Sequence, residues 1–135
     1  MSKVPYNTTH YPPLPSLAMT LYLPSETVGV GPFPSLVDTG ADATLVPNFY
    51  LQQLNAPIWA EANLRSHWGE PRLVYTYLLD VEVDGEHTLP GIIVVGDDQS
   101  QDIVLGRNLL NKLILLLDGP QTTLYVLSQR PRHLR

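Results

Sequence analysis

Two carboxylates stand close together in one short stretch, Asp38-Thr39-Gly40-Ala41-Asp42. Ser35-Leu36-Val37 precedes it, and Ala43-Thr44-Leu45-Val46-Pro47 follows. The apolar flanks imply a buried loop. Burying an unpaired charge is expensive, so carboxylates placed there need a reason. Gly40 lets the backbone turn tightly and another group come close, and the Thr39 hydroxyl could tie the loop to a neighbour. Taken alone, Asp-Thr-Gly also fits an Asx-type turn, in which Asp38 and Thr39 cap backbone N–H groups.

A second segment changes that balance. Asp102-Ile103-Val104-Leu105-Gly106-Arg107-Asn108-Leu109-Leu110 sets an apolar run before a glycine, then Arg-Asn-Leu-Leu at the start of a short helix. Together the two segments resemble the active-site loop and the second signature of the retropepsin-like (retroviral-type) aspartic proteases. The order and separation also match, and the resemblance extends over residues 17–127. It implies an all-β, closed acid-protease barrel with one or two short helices and one lobe per chain. In that family the second signature passes behind the catalytic loop, and its glycine, here Gly106, lets the two backbones approach.

Aspartic proteolysis needs two carboxylates sharing a proton: one takes a proton from water while the other protonates the substrate carbonyl. This chain has one Asp-Thr-Gly and no Asp-Ser-Gly. Asp80, Asp84, Asp97, Asp98, Asp102 and Asp118 lack the flanking pattern. The second carboxylate must then come from another copy across a two-fold axis. The expectation is a homodimer that hydrolyses polypeptide substrates, with Asp38 catalytic in each subunit and the monomer inert.

The resemblance implies further roles. Thr39 would hydrogen-bond across the dyad, Gly40 would lie against substrate backbone, and Arg107 would form an ion pair with Asp42 that supports the loop. Asn108 follows in the second signature, and Asp42 could also accept a hydrogen bond from substrate. Ala41 cannot donate the hydrogen bond that Ser or Thr would offer the carboxylates, which points to an activity optimum in weak acid. Val104 and Leu105 would favour large apolar side chains beside the scissile bond. A flap hairpin should span residues 62–77, with Ser66-His67-Trp68-Gly69-Glu70-Pro71 as its tip. Trp68 and Gly69 would touch substrate there, or Trp68 would pack with Trp59 and Tyr75 as core.

Two rivals stand against this reading. One is a phosphoryl-accepting Asp38, which the spacing of the two aspartates and the lack of βαβ alternation oppose. The other is a catalytically silent dimeric binding module of the same fold. His10, His67, His87 and His133 are too scattered for zinc, and no phosphate-binding glycine loop is present. No metal or cofactor is expected.

The elements that must position these residues read mostly as strands. Leu17–Leu23 alternates, Ser35–Val37 runs into the Asp38 loop, and Leu73–Val83 ends in strict period-two alternation. Asp84-Gly85 is a hairpin turn of the type that needs positive φ at both central positions. Residues 91–95 form an unalternating apolar run, which predicts a strand buried on both faces. Asp118-Gly119-Pro120 is a turn before a last strand at 122–127. Short helices are expected at 48–54 and 107–112.

Composition frames the rest. The 135 residues suit one domain, and with 44% hydrophobic and 16% charged residues the chain can build a core. Residues 1–16 read as a Pro-rich arm, extended or disordered, before a domain over 17–127, and residues 128–135 as a basic tail, though either end could also dock in the folded assembly. Residues 17–127 hold all 13 acids but only Arg65, Arg72, Arg107 and Lys112 among the bases, and the formal net charge is -5. That balance opposes nucleic-acid binding by counterion release. There is no cysteine, and no apolar run approaches the ~20 residues of a membrane span. No signal-peptide pattern is visible, so the expectation is a cytoplasmic protein. The unusual flap tip, the N-terminal arm and the extra C-terminal strand imply a cellular, prokaryotic relative more than a viral enzyme.

Overall fold

Leu17, Met19 and Leu21 alternate along one strand, and all three are almost wholly shielded from solvent. A strand with period two buries one face, and that face requires a closed surface of partners. The computed structural model describes residues 1–65 and 69–134. It contains β1 (Ser2–Pro5), β2 (Ser16–Tyr22), β3 (Val30–Val37), β4 (Thr44–Pro47), β5 (Ala60–Leu64), β6 (Arg72–Val83), β7 (His87–Asp97), β8 (Ile103–Leu105), β9 (Ile114–Asp118) and β10 (Thr123–Leu127). Among the described residues the helices are α1 (Asn48–Gln53) and α2 (Arg107–Leu110), with a 3-10 turn at Arg132–Leu134.

Strands pair in the order β2-β3-β8-β4-β7-β6, and β6 returns to β2 through Met19↔Val83 and Leu21↔Val81. The result is a closed barrel of six strands, with β5 added on the outer edge of β6. Leu79, Val81, Val83, Ile92, Val94, Ile103 and Leu105 fill the interior with the β2 residues. Closure matters because a barrel leaves few open ladders for wrong partners.

Two side chains fix the shape of this sheet. Asp84 and Gly85 both have positive φ, at 50° and 70°. The Asp84 amide donates to the Ala18 carbonyl at 2.8 Å while its Oδ1 accepts from the Ala18 amide at 2.8 Å, so the hairpin turn is stapled to β2. Between Leu79↔Ile92 and Val81↔Leu89, one β6 residue faces two on β7. Gly91 supplies the positive φ for this bulge, and its amide donates to Asp80 Oδ1 at 2.9 Å.

Three expectations change. The strand before the Asp38 loop begins at Val30 and passes through Pro32 and Pro34. It can do so because residues 30–34 pair only with β2, and β8 joins at Ser35; proline is tolerated where one side of a strand has no partner. The 91–95 run is buried on both faces only in part: Ile92 and Val94 point inward and Val95, on the other face, is 6% exposed, whereas Ile93 is 36% exposed. The N-terminal arm contributes a strand: β1 pairs antiparallel with β10, which pairs with β9, making a separate three-stranded sheet. Leu124 and Val126 of β10 are fully buried. No helix among the described residues is long and apolar enough to cross a membrane.

Candidate active site

The Asp38 loop grows directly out of a parallel ladder. β3 and β8 pair at Leu36↔Val104 and Val37↔Leu105, and the Asp38 amide extends the ladder by donating to the Leu105 carbonyl at 3.1 Å. The chain then reverses. The Ala41 amide donates to the Asp38 carbonyl at 3.1 Å, and the Gly40 amide donates to Asp38 Oδ1 at 2.9 Å. The second contact is the Asx turn that the tripeptide alone suggested. It occupies one carboxylate oxygen.

The segment 106–108 holds this loop from behind. A Cβ on Gly106 would lie 2.2 Å from the Ala43 carbonyl oxygen, so only glycine fits there without backbone movement. The Arg107 amide donates to the Ala41 carbonyl at 2.8 Å, and the Asn108 amide donates to the Asp42 carbonyl at 3.4 Å. The first amides of α2, which have no partner within a helix, are thus satisfied by the loop itself. The Arg107 side chain adds a clamp: Nη1 donates to the Thr39 carbonyl at 2.8 Å and Nη2 pairs with the Asp42 carboxylate. Asp42's side chain is 88% exposed, so this pair contributes roughly 0–1 kcal/mol to stability. Its consequence is geometric.

Thr44 is the residue that sequence reasoning missed. Its hydroxyl accepts from the Gly106 amide at 3.1 Å and donates to Asn108 Oδ1 at 2.8 Å. Asn108 Nδ2 in turn donates to the Ile93 carbonyl at 2.8 Å. One buried hydroxyl therefore links β4 to α2, and Asn108 links α2 to β7. The signal was present as a lone Thr in the apolar run after Asp42, where a hydroxyl needs a partner.

The loop is not buried in this chain. Asp38, Thr39, Gly40 and Asp42 are exposed, and Ala41 is half-buried. The apolar flanks do go inside, Val46 completely, but the loop projects beyond the end of the ladder and keeps its carboxylates in water. Among the described residues the Thr39 hydroxyl has no hydrogen-bond partner. Leu105 requires a correction as well. It is fully buried in the barrel core, and a side chain there cannot meet a substrate. Val104, on the opposite face of β8 by strand alternation, is half-buried.

Above the loop, β5 and β6 form an antiparallel hairpin, with Ala62↔Val74 and Leu64↔Arg72 in register. Ser66, His67 and Trp68 lie outside the described residues. Gly69 is exposed beside them. Trp59 and Tyr75 are 60% and 42% exposed, so they build no core with each other or beneath the hairpin. A groove of about 910 Å³ separates hairpin and loop. Its floor is Gly40 to Ala43 with Arg107, and its roof carries Leu64, Arg65, Glu70 and Arg72. Arg72 approaches the buried Asp97 at 3.9 Å, tying one limb of the hairpin to β7.

A second cavity, about 670 Å³, lies against α1 and holds none of the loop residues. Tyr77 lines it. Burial pushes the Tyr77 phenol above its ordinary value of 10.0, with smaller contributions from Asp98 and Tyr75. Among the described residues no three His, Asp or Glu side chains gather as a metal site.

No protein-family model matches this sequence, and neither does any curated protein. Solved structures do match. A retropepsin-like aspartic protease from Rickettsia conorii superposes with a TM-score of 0.65 at 16% identity, over 93% of this chain and 88% of that one. EIAV protease complexed with the inhibitor HBY-793 superposes with a TM-score of 0.54 at 17% identity, over 81% of this chain and 93% of that one. The chain therefore has the retropepsin-like fold, a single-lobe acid-protease barrel.

Proposed function

We propose that the chain is an aspartic endopeptidase, active as a symmetric homodimer in which Asp38 of each subunit supplies half of the dyad. The observation that carries this reading is the anchoring of the Asp38 loop. Gly106, Arg107 and Thr44 fix its backbone from behind, yet the carboxylate itself stays exposed beside a groove roofed by a hairpin. An Asx turn alone needs no such support. A reacting group needs it, because catalysis depends on holding the carboxylate in one geometry.

In the dimer the two Asp38 carboxylates share one proton. The ionised member takes a proton from a bound water as the water attacks the scissile carbonyl carbon. The protonated member gives its proton to the carbonyl oxygen, and a tetrahedral diol forms. Collapse of the diol returns a proton to a carboxylate and moves another to the departing nitrogen, which breaks the C–N bond. Thr39 hydroxyls tie the two loops to each other, and Gly40 lets substrate backbone approach. The substrate lies extended beneath the hairpin, its main chain pairing with it as an added strand. Val104 lines the apolar subsite beside the scissile bond.

The test compares wild type with Asp38→Asn on an unfolded protein substrate from about pH 3 to about pH 8 at several protein concentrations. Expected are cleavage by wild type alone, a maximum in weak acid, and activity that rises faster than linearly with concentration. A folded, dimeric wild type without cleavage at any pH would instead support a binding module of this fold.

A further inference from the structure

We propose that the groove beside the Asp38 loop selects acidic polypeptide segments, and that Arg65 is the residue that reads the substrate's carboxylate. The inference rests on the peptidase reading above and names the substrate class of that same site. Residues 17–127 hold all 13 acids of the chain but only four bases. Three of those four, Arg65, Arg72 and Arg107, line this one groove. Its acids are Asp42 and Glu70, so the lining is cationic on balance in a domain that is otherwise acidic. The three arginines are not equivalent. Arg107 is committed to the Thr39 carbonyl and the Asp42 carboxylate. Arg72 reaches toward the buried Asp97 at 3.9 Å. Arg65 is exposed, just past the ladder pair Leu64↔Arg72, and has no ion-pair partner among the described residues.

A cation that only solvates a surface can stand anywhere, but this one stands on the roof of a groove whose floor is the Asp38 loop. An arginine fork matches a carboxylate with two parallel N–H···O bonds. A substrate beneath the hairpin excludes water from that pair and strengthens it. A neutral amide in the same place offers a weaker acceptor, and a lysine would set two cations together. Side chains of an extended substrate alternate between roof and floor, so the roof-facing positions are the ones that meet Arg65. Glu70, on the other limb of the hairpin, repels a second carboxylate and limits the preference to scattered acids instead of a polyanion. The preferred segment is therefore apolar at the scissile bond and carries Asp or Glu at a roof-facing position further out.

The test uses fluorescently labelled mixtures of short peptides with a central apolar pair, identical except that the flanking positions carry Glu, Gln or Lys. It runs at about pH 6 and about 0.15 M salt, where Glu is ionised and long-range repulsion from the net charge of -5 is screened. Wild type should cleave the Glu mixture about tenfold faster than the Gln mixture, and the Lys mixture most slowly. Arg65→Gln should bring the Glu and Gln rates together, and Arg65→Glu should favour Lys. Each ratio compares two substrates on one preparation, so a misfolded fraction does not move it. Asp38→Asn, which binds without cutting, should hold the Glu mixture more tightly than the Gln mixture in fluorescence anisotropy, and lose that difference when combined with Arg65→Gln. Asp38-dependent cleavage indifferent to Glu, or a preference that survives Arg65→Gln, overturns the proposal and leaves the peptidase reading intact. Glu-selective, Arg65-dependent binding without cleavage by wild type supports the acidic-segment site and sinks the peptidase reading instead. Neither cleavage nor selective binding sinks both.

Discussion

Gly106 and Ala43 are in backbone contact: a methyl on Gly106 would sit 2.2 Å from the Ala43 carbonyl oxygen and 2.4 Å from its carbon. This is the point where the strand leading into α2 crosses behind the Asp38 loop. Neither backbone can yield easily, because Thr44 binds the Gly106 amide and Arg107 binds the Thr39 and Ala41 carbonyls of the loop. Gly106→Ala should therefore destabilise the protein by about 3 kcal/mol or more, at the upper end of overpacking effects. Urea unfolding measures it, and a midpoint near wild type would show that the crossing is looser than described.

Thr44→Val keeps the shape of the side chain and removes the hydroxyl. The buried Gly106 amide then loses its acceptor and Asn108 loses its donor. Leaving a buried donor unpaired costs about 1–3 kcal/mol. Thr44→Ser should lie much closer to wild type, since it keeps the hydroxyl and loses only a methyl. Equal losses in the two variants would place the effect in packing and remove the hydroxyl from the account.

Arg107→Lys separates charge from geometry. Lysine retains the cation but cannot span the Thr39 carbonyl and the Asp42 carboxylate with one planar fork. Both groups are solvent-accessible, so stability should change by less than about 1 kcal/mol. On the proposed peptidase reading, activity should fall at least about tenfold, because the loop carrying Asp38 loses its fixed position. The variant's kcat is the quantity to follow. A change confined to KM would assign Arg107 to substrate binding.

The parts of the site that were legible in the sequence are those specified by local chemistry. The Asp38 loop and the 106–108 segment carry residues that no ordinary strand or helix requires. Asp84-Gly85 names its own turn, and the alternation of Leu79, Val81 and Val83 names its buried face. What stayed hidden depends on distant partners. β1 reads as a Pro-rich arm because its partner, β10, lies at the other end of the chain. The apolar run of β9 has no period to show strand or edge, and its exposure follows from sheet order alone. The Asp38 loop looked buried since its flanks are apolar, yet the ladder ends at Asp38 and the loop extends past it. Leu105 and Val104 adjoin in sequence, but strand alternation sends one into the core.

Tyr77 gives a stability dependence that can be separated from catalysis. Burial, and then the Asp98 carboxylate, raise its phenol above 10.0 in the folded chain. Below about pH 10 the phenol is protonated in folded and unfolded states alike and contributes no pH dependence. As pH rises through 10.0, the unfolded chain ionises first and binds fewer protons than the folded one, so stability falls with pH until the folded phenol ionises too. Tyr77→Phe has no proton to lose there. The expected result is that the urea midpoint of wild type drops more steeply than that of Tyr77→Phe between about pH 9 and about pH 11, while the two run parallel at neutral pH. Parallel curves across the whole range would mean that the cavity beside α1 admits enough water to solvate the phenolate, and Tyr77 would then be an ordinary surface tyrosine.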